Sequence, residues 1–168
     1  MISIITAMTP KQVIGVDNSL PWGRMRDDMR WFRHHTMGKM VIMGRNTFES
    51  LSGALDGRTN VVLTSDPEWE HEGVKTMNSI EAVLDLEKTM PEMEFMIIGG
   101  GSIYRQFLPY THRLYITLVH SDVDGDTMFP LNLEEIRDRF ICSHRKKLLA
   151  NEVNDHAAEF MIFNQPPF

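Results

Sequence analysis

Three short apolar runs constrain the fold of this chain more than any other feature. Val41-Ile42-Met43, Val61-Val62-Leu63 and Phe95-Met96-Ile97-Ile98 are continuous, with no polar residue to turn toward water. A strand with one wet face alternates, whereas runs like these suit strands covered on both faces. Helix-like stretches over residues 25–36, 45–51, 79–87 and 102–108 lie around and between them. Strand and helix therefore alternate through residue 108, which implies parallel strands joined by crossover helices. Residues 113–120, 139–147 and 157–164 read as longer strands without full helices between them, so antiparallel pairing at one edge is expected. The predicted fold is one α/β domain over residues 1–168, a mixed and mostly parallel sheet with an antiparallel C-terminal edge, flanked by helices.

A chain of 168 residues supports one core and is short for two domains. No stretch approaches the roughly twenty apolar residues that cross a bilayer. The first eight residues lack a basic segment and a cleavage site, so they read as a strand rather than a signal peptide. The single cysteine, Cys142, excludes an intramolecular disulfide and a cysteine-rich zinc site and suits a reducing, cytoplasmic setting. Basic residues are scattered over a chain of net charge −6, which argues against a nucleic-acid binder but leaves room for local anion pockets. The thirteen methionines read as adaptable core filler, and the histidines show no metal-ligand spacing. A monomer is the default expectation.

Residues 9–23 form a long connection without regular periodicity, and connections of that length in small domains are commonly functional. Ile14-Gly15 and Leu20-Pro21-Trp22 give it apolar groups to bury, so a lid over a ligand is expected. A second exposed loop is marked by Asp124-Gly125 within residues 122–130.

Two places suggest anion binding. Gly99-Gly100-Gly101-Ser102 follows an apolar strand and opens a helix, where free N–H groups favour a phosphate. A tight strand-to-helix turn explains the same glycines equally well. Gly44-Arg45-Asn46-Thr47 repeats the arrangement, with Arg45 either over a phosphate or simply on the surface. The most informative residue is Asp28. A helix beginning near Met25 places Met25, Asp28, Met29 and Phe32 on one side, while Asp27 turns toward Arg30 and His34. Asp28 then stands as an acid in an apolar pocket, or pairs with Arg24 one turn back.

Taken together, the segments resemble the bacterial-type dihydrofolate reductases over nearly the whole chain. The resemblance rests on Ile14-Gly15 with Leu20-Pro21-Trp22, Asp28-Met29-Arg30-Trp31-Phe32, residues 41–50, Gly57-Arg58 with Asn60, Ile97 to Tyr104, Leu114-Tyr115-Ile116-Thr117, and Gly125-Asp126-Thr127 with Phe129-Pro130. It implies NADPH-dependent hydride transfer to dihydrofolate, in support of one-carbon and thymidylate metabolism, with those two small molecules as partners. Asp28, Thr117 and Trp22 are the implied catalytic set, Asp28 holding the pterin and Thr117 holding Asp28. Ile5, Thr6, Met29, Phe32, Leu51, Leu55, Ile98 and Tyr104 would surround the substrate, and Arg58 with Arg33 would take its glutamate tail.

For the cofactor, the resemblance implies Arg45, Thr64 and Ser65 around the 2′-phosphate, with Gly44, Asn46, Thr47 and Leu63 beside them. Gly99, Gly100, Gly101 and Ser102 would cover the pyrophosphate, with the Gly99–Gly100 bond cis, and Ile103 and Tyr104 would also contact the cofactor. Ala7, Ile14 and the 15–20 loop, with Gly15, Asn18, Ser19 and Leu20, would hold the nicotinamide, Ile98 and Thr127 would also contact the cofactor, and Asp126 would latch the loop. The chain departs from the family at Gly53, Asp56 and Asn78, and residues 23–27 run one residue longer than in some relatives. A related reductase of riboflavin biosynthesis shares the fold and cofactor site, but the helix aspartate distinguishes the two.

Overall fold

The computed structural model of the chain describes residues 1–15 and 20–167. Its centre is an eight-stranded sheet. Strands β1 (Ile2–Met8), β3 (Met40–Gly44), β4 (Thr59–Leu63), β5 (Val74–Met77), β6 (Phe95–Gly99) and β7 (Arg113–Val119) run parallel. At the β7 edge, β10 (Ala158–Asn164) and β9 (Ile141–Leu148) pair antiparallel, giving the order β5-β4-β3-β6-β1-β7-β10-β9. The three apolar runs fall in β3, β4 and β6, where most of their residues are fully buried. The predicted mixed sheet with its antiparallel edge is therefore the one observed.

Helices α1 (Arg26–Thr36), α2 (Arg45–Glu49), α3 (Ile80–Lys88) and α4 (Gly101–Phe107) supply the layers over the sheet, and a short 3-10 turn, Leu108–Tyr110, follows α4. Ser79 caps α3 by accepting from the Ala82 N–H. Three details correct the sequence reading. A fifth helix, α5 (Leu133–Arg139), precedes β9 and opens with a reciprocal capping box between Asn132 and Glu135. Helix α2 stops at Glu49, two residues early, where the Ser50 hydroxyl donates to the Thr47 carbonyl. The connection after β1 also contains a strand, β2 (Val13–Gly15), which pairs with β8 (Thr127–Met128) in a separate ribbon.

One core cluster joins Ile4, Ile42, Ile97, Phe107, Leu114 and Phe129 on one face of the sheet. A second, on the other face, joins Ile5, Val41, Met43, Phe48, Val62 and Met96. Alternate residues of the same strands feed opposite clusters, which explains why these strands are apolar throughout.

Candidate active site

Helix α1 delivers two adjacent acids to different surroundings. Asp27 is tied to the helix entry: its N–H donates to Asn154 Oδ1 over 3.0 Å, and Asn154 Nδ2 donates back to its carboxylate over 2.9 Å. Arg30 lies 3.5 Å from the same carboxylate. Asp28, 100° further round, accepts from the Thr117 hydroxyl over 2.7 Å. Arg24, the alternative partner for Asp28, pairs instead with Asp155, which also accepts the Arg24 N–H. Burial pushes the Asp28 carboxyl above the usual carboxylate range, and the Thr117 bond pulls it partly back.

Thr117 is held rigidly in β7, opposite Ala7 of β1 and Phe160 of β10. Trp22 is buried beside Ala7 and Met25, and its Nε1 has no hydrogen-bond partner among the described residues. The packed side of α1 comprises Met25, Trp31, Phe32, His35 and Thr36 around Asp28. Met29 lies at its margin and is 70% exposed, so its expected place on the apolar side is corrected. Ile5, Phe32, Leu51, Leu55 and Ile98 do come together in one cluster. Tyr104 donates its buried hydroxyl to the Ile5 carbonyl over 2.8 Å; burial raises its pKa, with Thr6 and Asp28 nearby.

The glycine-rich turn between β6 and α4 meets three other segments. The Gly99–Gly100 peptide is cis, and Gly99 has φ +122°. A Cβ at Gly99 would lie 3.2 Å from the Tyr104 hydroxyl, so backbone conformation and space both select glycine. Gly44 and Ile103, Gly100 and Thr47, and Gly101 with Ile14 and Thr127 are brought into contact distance around this turn. Ser102, expected with them, is exposed and accepts from Gln106. At the ends of β4 and β5, a cleft of about 470 Å³ is lined by Thr64, Ser65, Asp66, Thr76, Met77 and Asn78. Leu63 sits beneath it, paired to both Gly44 and Met77.

Arg45 opens α2 at the margin of this region, where Glu49 Oε1 lies 2.7 Å and Asp66 Oδ2 3.3 Å from its guanidinium. Trp69 stands 5.7 Å from the same group. Leu20 is 60% exposed, and the expected contacts at Asn18 and Ser19 lie outside the described residues. The 122–130 loop is tied to β2: Asp126 N–H donates to the Gly15 carbonyl over 3.0 Å, and Thr127 pairs with Gly15 in the β2–β8 ribbon.

The family model for dihydrofolate reductase matches residues 1–165. The chain belongs to the dihydrofolate reductase family. Among similar proteins, a dihydrofolate reductase of Haemophilus influenzae is 43% identical over 164 residues, covering 97% of this chain and 98% of that one. A type 3 dihydrofolate reductase of Salmonella typhimurium is 39% identical, with 98% of each chain covered. A solved dihydrofolate reductase from Enterococcus faecalis, complexed with NADP(H) and RAB-propyl, superposes with a TM-score of 0.90 at 29% identity, over 99% of this chain and 97% of that one.

Within this reductase-family fold, the structure adds residues that the sequence reading missed. Asn154 enters from the loop before β10 and bridges to Met25 at the start of α1, setting the helix phase that aims Asp28 at Thr117. An asparagine 127 positions beyond Asp27 carries no local signal of these contacts. Arg58, expected at the substrate tail, is only 4% exposed and donates to Thr36 Oγ1 over 3.0 Å. Asp56 lies beside both Arg58 and Arg33, and Asp66 beside Arg45. These acids are legible as residues, but their pairing depends on tertiary approach.

Proposed function

We propose that this chain catalyses the NADPH-dependent reduction of 7,8-dihydrofolate to 5,6,7,8-tetrahydrofolate. The observation that carries this reading is Asp28, an acid with its carboxyl raised by burial, positioned by the Thr117 hydroxyl at the wall of an apolar cluster. Its two oxygens suit a fork of N–H donors such as the pterin N3 and 2-amino group. Ile5, Phe32, Leu51, Leu55 and Ile98 supply flat apolar walls, with Met29 at the open margin.

NADPH supplies the hydride when bound. The residues present fit it: a glycine turn that side chains would fill, a cleft of hydroxyls beside Arg45, and an exposed guanidinium at that margin. Gly99 to Ile103 with Thr47 would hold the pyrophosphate, and Arg45, Thr64 and Ser65 the 2′-phosphate. Ala7, Ile14, Gly15, Leu20 and Thr127 would orient the nicotinamide end. Thr117 fixes Asp28, which holds the pterin and tunes its proton affinity. The Trp22 N–H, a buried donor, can bind water or a substrate oxygen. The β2–β8 ribbon carries the lid whose closure excludes bulk water.

One sheet carries both ligand regions, which supports a single working domain over residues 1–168. The exposed edge strand β9 carries Arg145, Lys146 and Lys147, charges that discourage edge pairing and favour a monomer. Among the described residues no helix is long and apolar enough to cross a membrane. The free Cys142 suits a reducing cytoplasm. Mixing the purified protein with NADPH and dihydrofolate should produce loss of absorbance at about 340 nm that requires both compounds. No loss with either compound order, at protein concentrations that bind NADPH, would contradict the reading.

A further inference from the structure

Arg33 and Arg58 come from different elements, α1 and the turn before β4, and one carboxylate stands between them. Asp56 Oδ1 lies 3.4 Å from Arg33 Nη1 and 3.4 Å from Arg58 Nη2, while Arg33 Nη2 approaches Oδ2 at 3.5 Å. The Arg58 side chain is fixed from behind: Nε donates to the Asp56 carbonyl over 2.9 Å and Nη1 to Thr36 over 3.0 Å. The edge left for an incoming carboxylate is thus the one that Asp56 meets. The turn allows little adjustment. Gly57 has φ +72°, a Cβ there would strike Met37 Sδ, and its carbonyl accepts the Gly38 N–H over 2.9 Å. Asp56 itself is 79% exposed and contributes nothing to the core.

We propose that Asp56 is a specificity-determining residue that competes, from within the chain, with the glutamate tail of the substrate for Arg33 and Arg58. This rests on the reading of Arg58 as the tail site. Two cations would otherwise meet the tail; Asp56 cancels one of those charges and occupies the shared edge. Binding a tail carboxylate therefore requires displacing Asp56 or tolerating a like charge beside it. The pair contacts are long, and Asp56 and Arg33 are open to solvent although the Arg58 side chain is not, so the competition is modest and screened by salt. Arg33, followed by Arg58, holds the Asp56 carboxyl below its usual range, so it is charged throughout the neutral region.

The test compares Asp56→Asn with the unaltered protein in equilibrium binding of methotrexate, which carries a glutamate tail, and trimethoprim, which carries none. Asp56→Asn should tighten methotrexate about three- to tenfold, the scale of one or two part-exposed ion pairs, and leave trimethoprim unchanged. The gain should shrink as salt is raised toward about 1 M. Unchanged methotrexate binding, or equal tightening of both ligands, overturns the proposal. Arg58→Gln separates the two levels. If it weakens methotrexate selectively while Asp56→Asn changes nothing, the tail site stands and only the role of Asp56 falls. If neither variant distinguishes the ligands, the tail-site reading falls with it.

Discussion

The Thr117 hydroxyl donates to Asp28 Oδ1 over 2.7 Å, across 89 residues of sequence. That bond links the first turn of α1 to the middle of β7, and it lowers a carboxyl pKa that burial alone would raise further. Thr117→Val keeps the shape and removes the donor. The expected result is a shift of the Asp28-linked limb of the pH–kcat/KM profile to higher pH. A loss of about 1–3 kcal/mol in transition-state stabilisation should accompany it, the usual cost of leaving a charged acceptor unpaired. An unmoved limb would show that the contact does not set the proton affinity of Asp28.

The raised pKa of Asp28 also makes a statement about stability. Between the unfolded and folded pKa values the folded state binds more protons, so stability falls as pH rises through that window. At neutral pH the ionised Asp28 is therefore a cost to the fold, and Asp28→Asn should melt at a higher temperature than the unaltered protein. Thermal unfolding at pH 7 and again near pH 4 checks this; the difference should narrow at the lower pH.

Glu94 behaves in the opposite sense. Burial raises its pKa, but bonds from Lys39 (2.6 Å), Ser3 (2.6 Å) and Tyr115 (2.8 Å) outweigh that and leave it lowered. Its contribution is present above the ordinary glutamate range and lost as pH falls through the folded value. Glu94→Gln should cost about 2–4 kcal/mol at neutral pH, since Lys39 loses its carboxylate partner. Denaturant unfolding at pH 7 measures it, and the penalty should diminish in acid.

Arg45 should carry much of the preference for NADPH over NADH. Arg45→Ala is expected to raise the Michaelis constant for NADPH by about tenfold or more while sparing NADH, the consequence of losing a charge-assisted phosphate contact. Because Glu49 and Asp66 already engage the guanidinium, Asp66→Asn should move the ratio the other way. Steady-state kinetics with both cofactors decides it, and equal losses for the two would move the 2′-phosphate site elsewhere.

Local pattern reveals some parts of this molecule and not others. Continuous apolar runs marked β3, β4 and β6 because both faces of those strands are covered. Helical phase separated Asp27 from Asp28 because the two positions differ by 100° on any helix. The same phase put Met29 on the packed side, where the structure leaves it 70% exposed, and only the packing of Trp31 and His35 against Tyr115 shows where the boundary falls. Helix α5 is short and its capping box lies between strand-like segments, so propensity gave way there to the local cap. Glu49 meets Arg45 at the ordinary i,i+4 helix spacing, but Asp66 beside Arg45 and Asp56 beside Arg33 come from separate elements, and no spacing rule links them.

If Asp28, and not its neighbour, serves the reaction, the pH dependence of turnover for Asp28→Asn and Asp27→Asn will separate the two. Asp27 is committed to Asn154 and Arg30 at the helix entry, whereas Asp28 faces Thr117. Asp28→Asn should lower turnover at neutral pH by on the order of 10² or more, the scale of a positioned acid–base group. Part of the rate should return as pH falls, because solvent then protonates some of the substrate before it binds. Asp27→Asn should keep a near-normal rate and profile, with a loss of at most about 1 kcal/mol in stability from the helix entry. A crippled Asp27→Asn beside a near-normal Asp28→Asn would show that Asp28 is not the acid that serves the reaction.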